Sequence, residues 1–192
     1  MILFLDFDGV LHPDAVFLIG GHPILARGGK TFMWAQPLVD LLSLYPEISI
    51  VLSTPWVEHI GFSRTKAVLP EPLRKRVIGS TWHFAMMPNS GGVLSDCEDW
   101  YDTATRYEKI ARSLKRTNLS SRDWVAIEHN IQAWPQEMLH HLVKVDRKKG
   151  LSCQVFLAEL KARLVENYLA HTSRGTNINF RAPVQLETNI EA

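Results

Sequence analysis

The sequence predicts an α/β fold, a mostly parallel sheet with helices on both faces, and three observations carry that prediction. Short, largely apolar runs of strand length recur at 2–5, 48–52, 124–127 and 142–145, as expected of strands buried on both sides. Helical stripes alternate with these runs, and strand–helix alternation implies parallel strands joined by crossovers. Three runs end in polar residues, Asp6, Ser53 and Glu128. Sheets of this kind place their sites at the carboxyl ends of the strands.

Taken in order, Ile2 to Leu5 is a continuous apolar strand that meets an acid at once. The apolar stretches 15–19 and 24–26 flank Gly20-Gly21, with Gly28-Gly29 following, which predicts a projecting hairpin or flap. Leu38, Leu41, Leu42 and Tyr45 fall at i, i+3, i+4, i+7, the stripe of an amphipathic helix. Ile48 to Leu52 is the second buried strand, and Val77-Ile78 a short third one. Residues 80–100 mix Gly, Pro, Asn, Ser and aromatics without a period, a long excursion of the sort that serves function. Asp102 or Thr103 is the expected cap of a helix burying Tyr107, Ile110, Ala111 and Leu114. Strands at 124–127 and 142–145 follow, then a helix marked by Phe156, Leu160, Leu164 and Tyr168. The expected organisation is a single domain over 1–171 with a polar tail over 172–192.

Composition narrows the function classes. With 192 residues, 46% of them hydrophobic and 21% charged, the chain has the make-up of one globular domain and is not a disordered one. A net charge of +1 supplies no overall field for nucleic acid or an anionic membrane. No run reaches the roughly 20 apolar residues needed to cross a bilayer. Asp6 and Asp8 interrupt the first apolar run too early for a signal-peptide core. Cys97 and Cys153 neither build a disulfide framework nor show a zinc spacing. A soluble, cytoplasmic protein is expected.

The segment Asp6-Phe7-Asp8-Gly9-Val10 concentrates the chemistry. Alternate residues leaving a strand point the same way, so both carboxylates can face one site, and Gly9 permits a sharp turn away from it. Such a pair suits a nucleophile with a proton shuttle, and equally suits Mg²⁺, which takes oxygen ligands.

These residues resemble the first motif of the haloacid dehalogenase-like superfamily, an aspartate, any residue, an aspartate, Gly and an apolar residue after the first strand. The continuation Leu11-His12-Pro13 looks like a group of small bacterial members. Ser53, in Val51-Leu52-Ser53-Thr54, is similar to the second motif. Arg106 fits the third, a basic residue near a helix start, with Lys109 the alternative. The fourth motif, usually two adjacent aspartates, here reads Glu128-His129. The resemblance spans residues 2 to about 165. It implies a Rossmann-like three-layer sandwich and phosphoryl transfer through an aspartyl-phosphate. Asp6 would attack phosphorus, Asp8 would act as acid and then base, and Ser53 and Arg106 would hold the phosphoryl charge. Asp6, Asp8 and Glu128 would bind Mg²⁺, while Gly9, His12, Ser53 and Thr54 would lie against substrate. The departure at the fourth motif matters, because Glu adds a methylene. His129 removes an acid, which weakens Mg²⁺ and favours softer ions such as Mn²⁺, Co²⁺ or Ni²⁺.

Spacing bears on the substrate. Asp6 to Ser53 is 47 residues and Arg106 to Glu128 is 22, too few in either gap for a full cap domain. An uncapped site resembles those acting on large substrates or closing by oligomerisation, and Trp56, Trp82, His83, Phe84, Trp100 and Tyr101 are candidates to stack on a ring. A phosphorylated substrate is expected, with nucleic-acid ends a weaker option that rests on the basic stretches 74–76, 112–122 and 147–149. The rival expectation is a catalytically impaired binding or regulatory module built on the same fold. A phosphotransferase passing the phosphoryl group to an acceptor other than water is a third.

Overall fold

The computed structural model describes residues 1–172 apart from Ala15, Gly20, Gly21, Arg27, 83–99 and 118–123. The expected tail beyond 172 and most of the 80–100 excursion lie outside those residues. A five-stranded, all-parallel sheet forms the centre, built from β1 (Ile2–Leu5), β4 (Ser49–Leu52), β5 (Val77–Ser80), β6 (Trp124–Glu128) and β7 (Leu142–Lys144). Their order across the sheet is β5-β4-β1-β6-β7, with β1 in the middle and the chain switching sides around it. An antiparallel hairpin, β2 (Val16–Ile19) and β3 (His22–Leu25), stands apart from the sheet as the expected flap.

Side-chain alternation along the strands builds two apolar layers. Leu3, Leu5, Ile50, Leu52, Val125, Ile127 and Val143 face one way, against Leu38 and Leu42 of α1 (Gln36–Ser43) and Leu160 and Leu164 of α6 (Gln154–Thr172). Ile2, Phe4, Val51, Trp124, Ala126 and Leu142 face the other way, against Ile110 and Leu114 of α5 (Arg106–Thr117). The result is the three-layer Rossmann-like sandwich expected from the sequence. Three shorter helices, α2 (Trp56–Ile60), α3 (Phe62–Ala67) and α4 (Glu71–Arg74), connect β4 to β5.

The start of α5 differs from the sequence expectation. Thr105 caps it: its hydroxyl accepts the Glu108 N–H at 3.3 Å while the Glu108 carboxylate accepts the Thr105 N–H at 2.7 Å. This reciprocal box satisfies two backbone donors and fixes the first turn. Asp102 and Thr103 belong instead to a separate helical turn at 100–103. The buried stripe of α5 is Lys109, Ile110, Ser113 and Leu114, with Tyr107 and Ala111 only half-buried. Among the described residues, no helix is long and apolar enough to cross a membrane.

Candidate active site

Register decides where the site forms. Leu5 pairs with Leu52 on one side and with Ile127 on the other. One step further along, Asp6, Ser53 and Glu128 leave β1, β4 and β6 side by side. Each continues the parity of Phe4, Val51 and Ala126, so all three turn toward the face that α5 covers. Arg106, the first residue of α5, meets them there. All four are buried or nearly so: Asp6 and Glu128 are fully buried, Ser53 is 1% exposed, and the Arg106 side chain 15%.

The Ser53 hydroxyl donates to Glu128 Oε1 at 2.8 Å, and the Phe7 N–H donates to Asp6 Oδ1 at 2.8 Å. Arg106 donates to the Ser53 carbonyl at 3.0 Å and spans both acids, 4.0 Å from Asp6 Oδ2 and 3.9 Å from Glu128 Oε2. His129 brings Nδ1 to 3.2 Å from Asp6 Oδ2 and Nε2 to 3.7 Å from Asp14. The first approach is close but lacks hydrogen-bond geometry, so Asp6 Oδ2, Glu128 Oε2 and His129 Nδ1 all remain buried without a hydrogen-bond partner.

Charge divides the two acids. Burial opposes ionisation of Asp6, but Arg106, His129 and the Phe7 N–H outweigh it and hold its carboxyl below the usual range. Burial, followed by the neighbouring Asp6 charge, pushes Glu128 well above its ordinary value, against the pull of Arg106 and Ser53. Burial lowers His129, yet Asp6 and Asp14 raise it further than burial depresses it. Two adjacent acids thus differ in proton affinity, the pattern of a site built for proton or metal chemistry.

Asp8 occupies a neighbouring position, its side chain 19% exposed. The Trp56 indole N–H donates to both of its oxygens, at 3.2 and 3.0 Å, and His12 Nε2 lies 3.1 Å from Oδ1. Its carboxylate does not join the cluster of Asp6, Glu128 and His129. Gly9 has φ of +68°, and a Cβ there would come within 3.0 Å of Arg147 Cα and His129 Cγ, so the turn after Asp8 needs glycine on both counts.

The family model described as "HAD domain in Swiss Army Knife RNA repair proteins" matches residues 2–156. The chain belongs to this family. Neither the curated proteins nor the solved structures compared with it gave a match. Membership in the HAD family supports a hydrolase of the phosphatase-like kind and agrees with the parallel sheet and its site at the strand ends.

HAD proteins generally use Mg²⁺, and the donor set can be tested against that. Donor atoms of Asp6, Glu128 and His129 all lie within 4.8 Å of one another. The orphaned Asp6 Oδ2, Glu128 Oε2 and His129 Nδ1 are among the atoms those side chains can offer. Two carboxylate oxygens and one imidazole nitrogen, buried and unsatisfied, fit a divalent cation. Glu128 supplies one of the two carboxylates of that cluster.

Several residues singled out in the sequence have other neighbours. His12 is fully buried and faces Asp8, and Thr54, 1% exposed, accepts the Trp56 N–H at 3.4 Å to start α2. Lys109 turns from the strand ends to Glu58 at 3.7 Å and to the face of Tyr101 at 3.8 Å, so Arg106 alone of the two cations reaches Asp6. Arg76 donates to the carbonyls of Leu42, Tyr45, Pro46 and Ile48, and Lys75 pairs with Glu71, which gives the 74–76 stretch structural partners. Trp56 and Tyr101 are buried, whereas His83 and Phe84 lie outside the described residues. Sequence reasoning missed the Trp56 contact with Asp8, the approach of His129 to Asp6 and that of Asp14 to His129. The one available signal was the position of His129 directly after the strand-end acid.

Proposed function

We propose that the protein is a metal-dependent phosphohydrolase that cleaves a phosphate monoester through an aspartyl-phosphate on Asp6, and that the ester is a phosphate at an RNA end. One observation carries the reaction: Asp6, with one oxygen free of hydrogen bonds, stands in line with Ser53 and beside the Arg106 guanidinium at the sheet's switch point. The description of the family, which places its HAD domain in RNA repair proteins, supports the substrate class. So does the Asp6–Ser53 interval, whose described elements are the hairpin and α1 and no cap.

On this reading the Asp6 carboxylate attacks phosphorus, and the bond from phosphorus to the ester oxygen breaks. Asp8 gives its proton to that departing oxygen. Asp8 then takes a proton from a water that attacks the aspartyl-phosphate, which frees inorganic phosphate and restores the Asp6 carboxylate. Arg106 spreads positive charge over the phosphoryl oxygens, and the Ser53 hydroxyl turns from Glu128 to donate to one of them. Asp6, Glu128 and His129 would hold the metal ion, which supplies positive charge between the anionic ester and the anionic nucleophile. With one nitrogen donor, Mn²⁺ competes better against Mg²⁺ than it does at an all-oxygen site.

The test is release of phosphate from an RNA oligonucleotide carrying a terminal phosphate, and from an aryl phosphate, with Mg²⁺, Mn²⁺ or chelator. Turnover that requires metal and disappears in the Asp6→Asn variant is the expected result. Protein that binds no divalent ion by calorimetry and releases no phosphate is the regulatory module instead.

A further inference from the structure

We propose that His12 and Trp56 form a two-donor clamp that positions Asp8 as the proton donor to the leaving oxygen. The inference rests on the phosphohydrolase reading and goes beyond it, since it assigns a function to two residues whose ring nitrogens are turned to Asp8. The geometry is specific. The Phe32 N–H points at His12 Nδ1 from 3.3 Å, which makes that nitrogen the acceptor and leaves the ring proton on Nε2. Nε2 then donates to Asp8 Oδ1 at 3.1 Å. The Trp56 indole N–H covers the same carboxylate from a second direction, reaching Oδ1 at 3.2 Å and Oδ2 at 3.0 Å.

Both donors are rigid and buried. His12 is fully buried and Trp56 is 5% exposed. Their rings pack against each other and against Phe32, with centroids 5.2 to 5.7 Å apart. A histidine buried this completely needs partners for both nitrogens, and here each has one. Phe32 itself holds φ of +62°, an uncommon conformation for a bulky residue, which suggests that the backbone donor is kept in place by its surroundings. The clamp thus runs from the chain returning from the flap, through His12, to Asp8. The Asp8 side chain still keeps 19% exposure under the two donors. Neither donor brings a full charge, so the clamp fixes direction while Asp6 keeps Arg106 and His129 as its counter-charges.

A positioning role and a merely structural one differ in leaving-group dependence. A nitrophenolate departs without a proton, whereas an alkoxide needs one. In kcat/KM, which reads the attack by Asp6, moving the acid out of line therefore harms alkyl phosphates selectively. The experiment compares p-nitrophenyl phosphate with an alkyl phosphate for wild type, Trp56→Phe, His12→Leu and His12→Gln, each checked by thermal melting. Trp56→Phe and His12→Leu are expected to lose about 10- to 100-fold on the alkyl ester and under about threefold on the aryl ester. His12→Gln, whose amide can donate from the Nε2 position, is expected to recover most of the loss. Active wild type with equal losses on both esters in Trp56→Phe overturns the clamp alone. Wild type inert toward both esters and toward the RNA-end phosphate, itself an alkyl ester, overturns the phosphohydrolase reading, and the clamp with it.

Discussion

Replacing Glu128 by Gln removes one buried negative charge while keeping the size of the side chain and the oxygen that accepts from Ser53. In the native protein an Asp6 oxygen lies within 4.8 Å of a Glu128 oxygen, so at an effective dielectric near 20 the two charges repel by at least about 3.5 kcal/mol. Arg106, 3.9 Å from Oε2, returns about 4 kcal/mol on the same scale. These nearly cancel, and burial of a carboxylate oxygen with no hydrogen-bond partner decides the balance. The penalty has a ceiling, because Glu128 can take up a proton. It cannot exceed about 1.4 kcal/mol for each of the roughly three units between pH 7.5 and an ordinary glutamate, about 4 kcal/mol in all. Gln also brings an N–H within reach of the unpartnered Asp6 Oδ2. We expect about half the ceiling, a rise in Tm of about 4–8 °C for Glu128→Gln in chelator at pH 7.5. A folded-state value raised above the unfolded one gives stability that is present at low pH and lost as pH rises through it. The advantage of the variant therefore shrinks toward pH 4. Adding Mn²⁺ reverses the ranking, since only wild type gains from binding. Melting curves with and without metal at two pH values make the comparison. A variant that melts at or below wild type in chelator at pH 7.5 refutes the reasoning.

Gly9→Ala combines a positive φ of +68° with a Cβ 3.0 Å from Arg147 Cα. It should cost about 2–3 kcal/mol in urea denaturation and should also lower activity, because the same atom presses on His129. Arg106→Met leaves Asp6 and Glu128 without their shared guanidinium and should destabilise by about 3–5 kcal/mol. Arg106→Lys, which keeps a cation, should lose less in the same titration. Metal binding should release protons, because Glu128 and His129 both hold theirs more firmly than usual. Calorimetry in two buffers of different ionisation enthalpy counts them, and affinity should rise with pH until release is complete.

The sheet was legible because burial on both faces leaves a plain mark: Ile2 to Leu5 and Trp124 to Ile127 are apolar throughout and 8% exposed at most. The convergence of Asp6, Ser53 and Glu128 was legible for the same reason. Asp6 and Ser53 follow their strands directly and Glu128 ends its own, and adjacent parallel strands in register carry these residues to one line. The contacts that come from across the fold left no such mark. Trp56 donates to Asp8 over 48 positions, and no periodicity in either segment announces it. Its apolar ring read as packing, which it also supplies, so the polar end of the indole went unassigned.

The choice between Arg106 and Lys109 shows how a local signal can settle a long-range question. Both lie on the first turn of α5, and a hydrophobic stripe alone ranks neither above the other. The capping box Thr105-Arg106-Tyr107-Glu108 does, because it fixes Thr105 as the cap and Arg106 as the first helical residue. A side chain at that position projects from the helix end toward whatever precedes it, here the carboxyl ends of β1, β4 and β6. Three residues on, Lys109 lies nearly one turn further round and along, where Glu58 and the Tyr101 ring receive it. Burial then makes the assignment self-consistent. Asp6 and Glu128 are fully buried acids that need a cation, and of the two candidates only the one at the helix entrance reaches both.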